Sequence, residues 1–315
     1  MREPATIRLL PDGRRLHLSD GPIDLIVEAG GARDEIRHAY EAAARRFVTI
    51  LDELCAELPL LRRPASCALS RPRGAVAQCM ADAVDPYREP CFITPMAAVA
   101  GAVAEAVLAA MTDAAELDRA HVNNGGDIAL HLARGQSYRV GMVERPDRPS
   151  LFGSIEISSG TPVRGIATSG WRGRSFSLGI ADAVTVLAAS ASQADAAATI
   201  IANAVDLPGH PAVTRVPARE IVPDSDLREI PVTRDVGHLS PPEIENALRS
   251  GAKVAEALRA RGLIYAAALN LQEHVRIVRG RQAASRSRCR DGLRRPSASG
   301  AALPAKIPAR SPQHV

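Results

Sequence analysis

The sequence predicts an α+β fold in which mostly antiparallel strands pack against helices, in one domain over residues 1–280. Three observations predict it. Apolar and polar residues alternate in short runs between turn residues, apolar residues elsewhere recur at helical spacing, and strands and helices do not alternate regularly. With 315 residues, of which 46% are hydrophobic, the chain is long enough to bury a substantial core.

The first half begins with strands and continues with helices. Residues 5–30 contain three alternating runs separated by glycines, which predict short antiparallel strands. Helical spacing then begins at Arg33, and we expect Pro59 to end that helix. A second, apolar helix follows Pro95. Its roughly 17 residues, interrupted by Glu105, fall short of the ~20 that cross a membrane, so we expect a buried helix and no membrane partner.

The second half combines a sheet with two helices. Glycine turns divide residues 121–190 into strand-like runs, which predict a mostly antiparallel sheet. Helical patterns follow at residues 192–205 and 241–261, and Ser240 is placed to cap the second. Residues 262–278 fit either a final strand pair or a helix.

The positive charge is concentrated at the C-terminus. The formal net charge is +4, but residues 280–315 hold eight basic residues and one acidic residue, which leaves 31 basic and 34 acidic residues elsewhere. We expect residues 281–315 to be a disordered, solvated tail, because their composition buries too little apolar area to offset chain entropy. A nucleic-acid arm is the functional alternative. We do not expect nucleic-acid binding, because aromatic residues that stack on bases make up only 3% of the chain.

The five cysteines form no C-x-x-C pair and have no zinc-like spacing with histidine. Their odd number indicates free thiols in a reducing compartment. The N-terminus is polar and charged and does not resemble a signal sequence. We therefore expect a cytoplasmic protein.

Asn124, Gly125, Gly126 and Asp127 lie between two predicted strands. Consecutive glycines let backbone N–H groups approach a ligand with no Cβ in the way, as in loops that cradle phosphate. Asn-Gly is also a strong hairpin signal, so a plain hairpin turn is the alternative.

Thr168, Ser169 and Gly170 follow another predicted strand, and residues 173–175 add a guanidinium and a further hydroxyl. Such a turn suits a phosphate or pyrophosphate group, although a Ser/Thr-rich segment is also common in ordinary loops. The chain contains no G-x-S-x-G, G-x-G-x-x-G or G-x-x-x-x-G-K-[ST] string, so serine-hydrolase, Rossmann and Walker sites have no support.

Asp195 and Thr199 lie four residues apart in a predicted helix and therefore on one face. Their hard oxygen atoms, among small side chains that leave room for water, are typical of a magnesium site. The alternative is structural: Asp195 satisfies its own helix N-terminus and Thr199 bonds back to a carbonyl.

Three residues are candidates for catalysis. Asp182 precedes an apolar strand, His210 follows the helix that carries Asp195, and Ser175 lies in the turn after Gly170. The sequence does not select among them, and it does not identify the catalytic base.

The strings VNNGGDIAL, GIATSG and ADAVTVLAASASQADAAAT, in this order, resemble the C-terminal half of the ApbE-like family, the FAD:protein FMN transferases. Further segments, TPMAAVAGAVAEAV, SLGIADAV and PDSDL, make the chain more similar to a sister family of the same superfamily than to the true flavin transferases. The resemblance spans roughly residues 5–279.

The resemblance implies a two-lobed, T-fold-like α+β architecture that binds FAD or FMN and magnesium between its lobes. It places Asp195 and Thr199 at the transferases' metal-ligand pair. Residues 124–127 then correspond to their glycine turn, and residues 168–170 to their Thr-Ser-Gly turn.

Two departures separate the chain from the transferases. Their helix motif resembles GGIAKGYAVD, whereas this chain reads MAAVAGAVAE, so Ala100 replaces the lysine and Glu105 the aspartate. The HIIDPxTG segment is also missing. Loss of the lysine removes a charge-assisted contact with phosphate, which argues against transfer of FMN to protein.

We therefore expect the protein to bind a small molecule with phosphate or carboxylate groups, together with magnesium, for a transfer or hydrolysis reaction. A flavin nucleotide such as FAD or FMN is one candidate for this molecule. The alternative is a non-catalytic flavin or metabolite binder that has lost FMN transfer. The sequence leaves open whether the protein forms a homo-oligomer.

Overall fold

Antiparallel strands dominate this computed structural model, which describes residues 4–65, 71–89, 91–143 and 151–279. Nine of them form one sheet: β1 (Thr6–Leu9), β2 (Leu16–Asp20), β3 (Ile23–Gly30), β4 (Arg119–Asn124), β5 (Asp127–Leu132), β8 (Gly165–Ser169), β9 (Ala183–Ala188), β12 (Ala266–Leu271) and β13 (His274–Val278). Two separate hairpins are β6 (Ser137–Val143) with β7 (Leu151–Ser158), and β10 (Val213–Pro217) with β11 (Pro231–Val236). The strands of the large sheet lie side by side in the order given, and all neighbours are antiparallel.

The helices are α1 (Arg33–Leu61), α2 (Ala75–Val84), α3 (Val99–Ala114), α4 (Ala191–Ala204), the single turn α5 (Ala218–Ile221) and α6 (Pro241–Ala260). The predicted α+β class with antiparallel strands is confirmed. Residues 262–278 form the strand pair β12–β13, and Ser240 makes the predicted capping box with Glu243. The predicted tail, residues 281–315, lies outside the described residues, so its disorder and the domain boundary at residue 280 stay predictions.

The expected end of α1 at Pro59 is wrong, because the helix continues to Leu61. Pro59 lies in the last turn, where its missing N–H removes one helical bond and leaves the turn after it intact. The N–H of Arg62 closes that turn on the carbonyl of Leu58.

Helices α1, α3, α4 and α6 bury one face of the sheet. Alternate strand residues point toward them, and Leu18, Leu25, Val122, Val184 and Leu269 are fully buried there. The β6–β7 hairpin covers part of the other face with a smaller core. Period-two alternation along each strand therefore separates two apolar layers.

The stretch Pro95–Ala114 is, by length and composition alone, apolar enough to cross a membrane. Within the fold, Ala102, Val103, Val107 and Met111 of α3 are buried in the main core. The helix also packs against α1, α4 and strands β4 and β5. These contacts are those of a core helix.

The strand pair β5–β8 joins the two halves of the sheet through only two paired positions, Ile128 with Ile166 and Ala129 with Gly165. One further backbone bond, from the N–H of Leu130 to the carbonyl of Arg164, lies beyond Ala129, but toward Asp127 the ladder stops. The N–H of Thr168 instead donates to the side chain of Asp127. A carboxylate therefore replaces a backbone carbonyl where the two halves separate.

Helices α3 and α4 cross in direct backbone contact at Gly101. A Cβ at this position would lie 2.4 Å from the carbonyl oxygen of Ala191, a separation that real Cβ atoms do not show. Glycine is therefore required here by the close approach of the two helices.

We predict that Gly101→Ala destabilises the protein by about 1–3 kcal/mol, because the added methyl forces the two helices apart. Helix propensity alone would favour alanine by about 1 kcal/mol, so the sign of the change is diagnostic. Chemical denaturation would measure it. Gly160→Ala is the control, since its Cβ would meet only the Ser158 Oγ at 3.8 Å. Equal stability of the two variants would contradict the tight crossing.

Candidate functional site

The N-termini of α3 and α4 lie together, and each receives an acidic side chain from the other helix. Asp195 of α4 accepts a hydrogen bond from the N–H of Gly101 at 3.1 Å, and the N–H of Ala100 also stabilises its charged form. Glu105 of α3 accepts from the N–H of Ser192 at 2.6 Å. Helix N-termini favour negative charge, so the two acids cap the two helices reciprocally.

The structural alternative, in which Asp195 caps its own helix, is therefore wrong. Its own helix is capped by Ser190, whose hydroxyl accepts from the N–H of Gln193. Asp195 caps the neighbouring helix through Oδ2.

Asp127 lies opposite Asp195 and is held by the joint of the sheet. Its Oδ1 accepts from the N–H of Thr168 at 3.2 Å. Burial raises the pKa of Asp127 from 3.8 to about 7, although the Thr168 hydrogen bond acts in the opposite direction. Burial, followed by the charge of Asp127, raises the pKa of Asp195 well above its ordinary value. The two carboxylates therefore repel one another in a poorly hydrated site.

The glycine turn is a two-residue hairpin between β4 and β5. Gly125 and Gly126 have φ of +65° and +117°, the positive values that hairpin turns of this type need. Asn124, which precedes them, is buried and donates from Nδ2 to the carbonyl of Ala100 at 3.2 Å. The hairpin and the candidate binding turn are thus the same segment, and the segment ends at Asp127.

The Thr-Ser-Gly turn lies beside this hairpin. Thr168 shares a hydroxyl hydrogen bond with Thr185 at 3.0 Å, and Ser169 ends β8. A Cβ at Gly170 would lie 2.5 Å from the carbonyl oxygen of Asp182, so the turn has no room for a side chain there.

Arg174 brings a cation to the hairpin. One of its terminal nitrogens lies 3.3 Å from the position that a Cβ of Gly125 would take. The side chain is exposed and forms no ion pair with the described residues. It is therefore available to an anion that binds beside the hairpin.

Thr199 lies one turn beyond Asp195 on α4 and is partly exposed. Among the described residues, its hydroxyl has no hydrogen-bond partner, so the bond back to a helix carbonyl that the structural alternative requires is not formed. No group of three His, Cys, Asp or Glu side chains suited to a metal occurs in residues 4–65, 71–89, 91–143 and 151–279. A cation here would use two carboxylates and the oxygens of hydroxyls, water or ligand.

The three catalytic candidates do not join this pair through any direct contact in the described part of the chain. Asp182 is buried, accepts from Arg172 Nε at 2.6 Å and also accepts from the N–H of Gln272. His210 Nε2 lies 2.9 Å from Glu243, and its Nδ1 accepts from the N–H of Ala212. Ser175 is exposed in a bend.

Sequence reasoning missed that Asp127 and Asp195 belong to one cluster. It assigned Asp127 to the glycine turn and Asp195 to a metal, because no spacing along the chain relates a strand terminus to a helix 68 residues later. The cap formed by Glu105 was also missed. An acidic residue in the first turns of a helix that packs closely against the N-terminus of another helix favours such a cap.

Comparison with known proteins identifies the family. A sequence model of the family described as "AbpE bacteria" matches residues 7–277. A UPF0280 protein of Methanopyrus kandleri is 44% identical over 131 residues, which cover 41% of this chain and 48% of that protein. A UPF0280 protein of Methanocella arvoryzae is 38% identical over 135 residues, which cover 41% of this chain and 54% of that protein. The chain thus spans about half the length of the curated relatives it matches.

A solved structure, the apo form of the flavinyl transferase ApbE from Pseudomonas stutzeri, aligns with a TM-score of 0.37 at 12% identity. The alignment covers 88% of this chain and 96% of that one. The family match confirms the predicted resemblance to the ApbE-like superfamily. Because the matched residues make up most of the chain, the protein belongs to the family described as "AbpE bacteria".

Proposed function

We propose that Asp127 and Asp195 hold a magnesium ion that helps to bind a phosphate-bearing small molecule, with a flavin nucleotide as the leading candidate, for transfer or hydrolysis. One observation carries the proposal: two partly buried carboxylates lie near one another between a sheet joint and a helix crossing, and both have raised pKa values. The flavin part comes from the ordered motifs that resemble the ApbE-like transferases.

The donor set fits magnesium. Mg²⁺ is usually held by one or two carboxylates and keeps several water or phosphate oxygens as further ligands. Asp127, Asp195 and the hydroxyl of Thr199 supply oxygens of this kind, while nitrogen and sulfur ligands are absent from their contacts among the described residues. A cation between the two acids would also remove their repulsion.

Magnesium bound there would polarise a phosphate and neutralise charge that develops on its oxygens. The chain's own residues would orient the ligand. Arg174 is placed to pair with a phosphate, and the hairpin at Gly125 lets the ligand approach the backbone without a side chain in the way. The reciprocal caps keep Asp195 at a fixed position relative to α3.

A non-catalytic binder is the second candidate, and two observations favour it. Ala100, which replaces the lysine of the transferases, contributes only backbone groups to the site. The side chains of Asp182 and His210 are already engaged in other contacts. Turnover of FAD or another phosphodiester by the purified protein would decide between an enzyme and a binder.

We predict magnesium-dependent binding of FAD, FMN or ADP, measured by isothermal titration calorimetry. Asp195→Asn should weaken it at least tenfold, because loss of a charge-assisted contact is worth about 1.5–3 kcal/mol. The amide retains an acceptor for the Gly101 N–H. Asp82→Asn is the control, since Asp82 is exposed and pairs with Arg71. Binding that is unaffected by magnesium or by the Asp195 change would refute the proposal.

We predict that Asp127→Asn raises the Tm of the magnesium-free protein by several degrees at pH 8. From pH 3.8 to about 7 the folded Asp127 keeps a proton that the unfolded chain loses, so stability falls as pH rises through this range. The variant, which stays neutral, should lose this advantage toward pH 4. Magnesium should raise the Tm of the wild type alone. A lower Tm of the variant at pH 8 would show that the carboxylate is not under charge repulsion.

We predict that Arg174→Gln weakens nucleotide binding about tenfold and leaves the magnesium-induced rise in Tm unchanged. Arg174 pairs with phosphate in the proposal, whereas the two carboxylates hold the cation. Calorimetry and thermal denaturation separate the two effects. If both readouts fell together, Arg174 would be required for the fold of the site and not for the anion.

A further inference from the structure

A separate groove lies between the C-terminal end of α1 and residues 223–229, the loop that follows α5. It has a volume of about 990 Å³ and shares no lining residue with the Asp127–Asp195 pair. Leu58 and Pro59 form an apolar part of its wall. This volume is at the upper end of the range of small-molecule sites, which is roughly 300–1,000 Å³.

Four arginines line the groove, and two of them lack a carboxylate partner. Arg62 pairs with Asp224 at 2.9 Å, and Arg219 pairs with Glu229. Arg63 and Arg228 form no ion pair with the described residues, and both are exposed. The two pairs that do form are solvent-exposed, with Asp224 71% and Glu229 62% exposed. Exposed pairs contribute little stability, so an anionic ligand can compete for these guanidinium groups.

Arg228 has φ of +49°, a left-handed backbone conformation that costs a residue with a Cβ about 1–2 kcal/mol. Glycine would adopt it without this strain. Backbone strain of this kind concentrates at ligand sites, where the side chain repays it. Gln272 and Glu273 have similar strain away from the groove, so the strain at Arg228 supports a role for its guanidinium only together with the groove that it lines.

The loop that carries Arg228 is fixed by several hydrogen bonds. The N–H of Arg228 donates to the carbonyl of Ser225, and the carbonyl of Arg228 accepts from the N–H of Arg219. The buried hydroxyl of Thr94, just before α3, donates to Asp226. The backbone of Arg219 and Arg228 is thus ordered before a ligand arrives, which lowers the entropy lost on binding.

We propose that this groove binds a small molecule with at least two anionic groups, phosphates or carboxylates, through Arg63 and Arg228, with Arg62 and Arg219 closing on it. The guanidinium forks match the oxygen geometry of both groups. The apolar wall at Leu58 and Pro59 contacts the uncharged part of the molecule.

Calorimetry on the full-length protein without magnesium tests the proposal, with pyrophosphate and citrate as the phosphate and carboxylate probes. The wild type should bind at least one of them. The probe with the lower Kd identifies whether the site prefers phosphate or carboxylate groups. Arg63→Gln and Arg228→Gly should each weaken binding about tenfold. Arg228→Gly should also keep or raise the Tm, because it relieves the left-handed strain.

Arg37→Gln is the matched control. Arg37 lies near the start of α1, roughly 37 Å by helical rise from Arg62, the residue that follows the end of that helix, and the change removes the same charge. It should bind as the wild type does. Absence of binding by the wild type, or equal affinities of Arg63→Gln and wild type, would overturn the proposal. Loss of binding in Arg174→Gln with retention in Arg63→Gln would place the anion at the sheet joint and overturn it as well.

Discussion

The crossing of α3 and α4 at Gly101 decides where the rest of the site can lie. Two helix N-termini meet there in backbone contact, and each would leave N–H groups without acceptors. Asp195 and Glu105 supply those acceptors across the crossing. The same bond that caps α3 also fixes the carboxylate of Asp195 near the start of β5, so helix packing and the position of this carboxylate are one constraint.

This constraint creates an electrostatic conflict with Asp127. The second carboxylate is fixed independently, by the hydrogen bond from Thr168 at the joint of the sheet. Neither acid can move away without leaving a backbone N–H unsatisfied, and burial raises the pKa of both. A fold selected only for stability would place a neutral side chain at one of these positions. In the proposed function, a bound cation would relieve this repulsion.

The hairpin at Gly125 and Gly126 shows why the local sequence allowed both a structural and a ligand-binding interpretation. Its positive φ values satisfy the hairpin interpretation completely. The proposal of a ligand site rests on the contacts of the hairpin: it leads into Asp127 and lies beside Arg174, which comes from a turn nearly fifty residues later in the sequence. A turn of this kind is structural or ligand-binding according to what the other strands and helices bring next to it.

Local patterns alone determined most of the elements. Alternation predicted β1 to β3, glycine spacing predicted the antiparallel sheet over residues 121–190, and Ser240 marked the start of α6. Those signals depend on neighbours in the chain, which is why they can be read from it. Pro59 was misjudged, because its effect depends on where in the helix it falls. The pairing of Asp127 with Asp195, the cap from Glu105 and the groove of arginines were decided by tertiary structure. Each joins residues whose separation is set by sheet order and helix crossing, and no periodicity in the sequence encodes that distance.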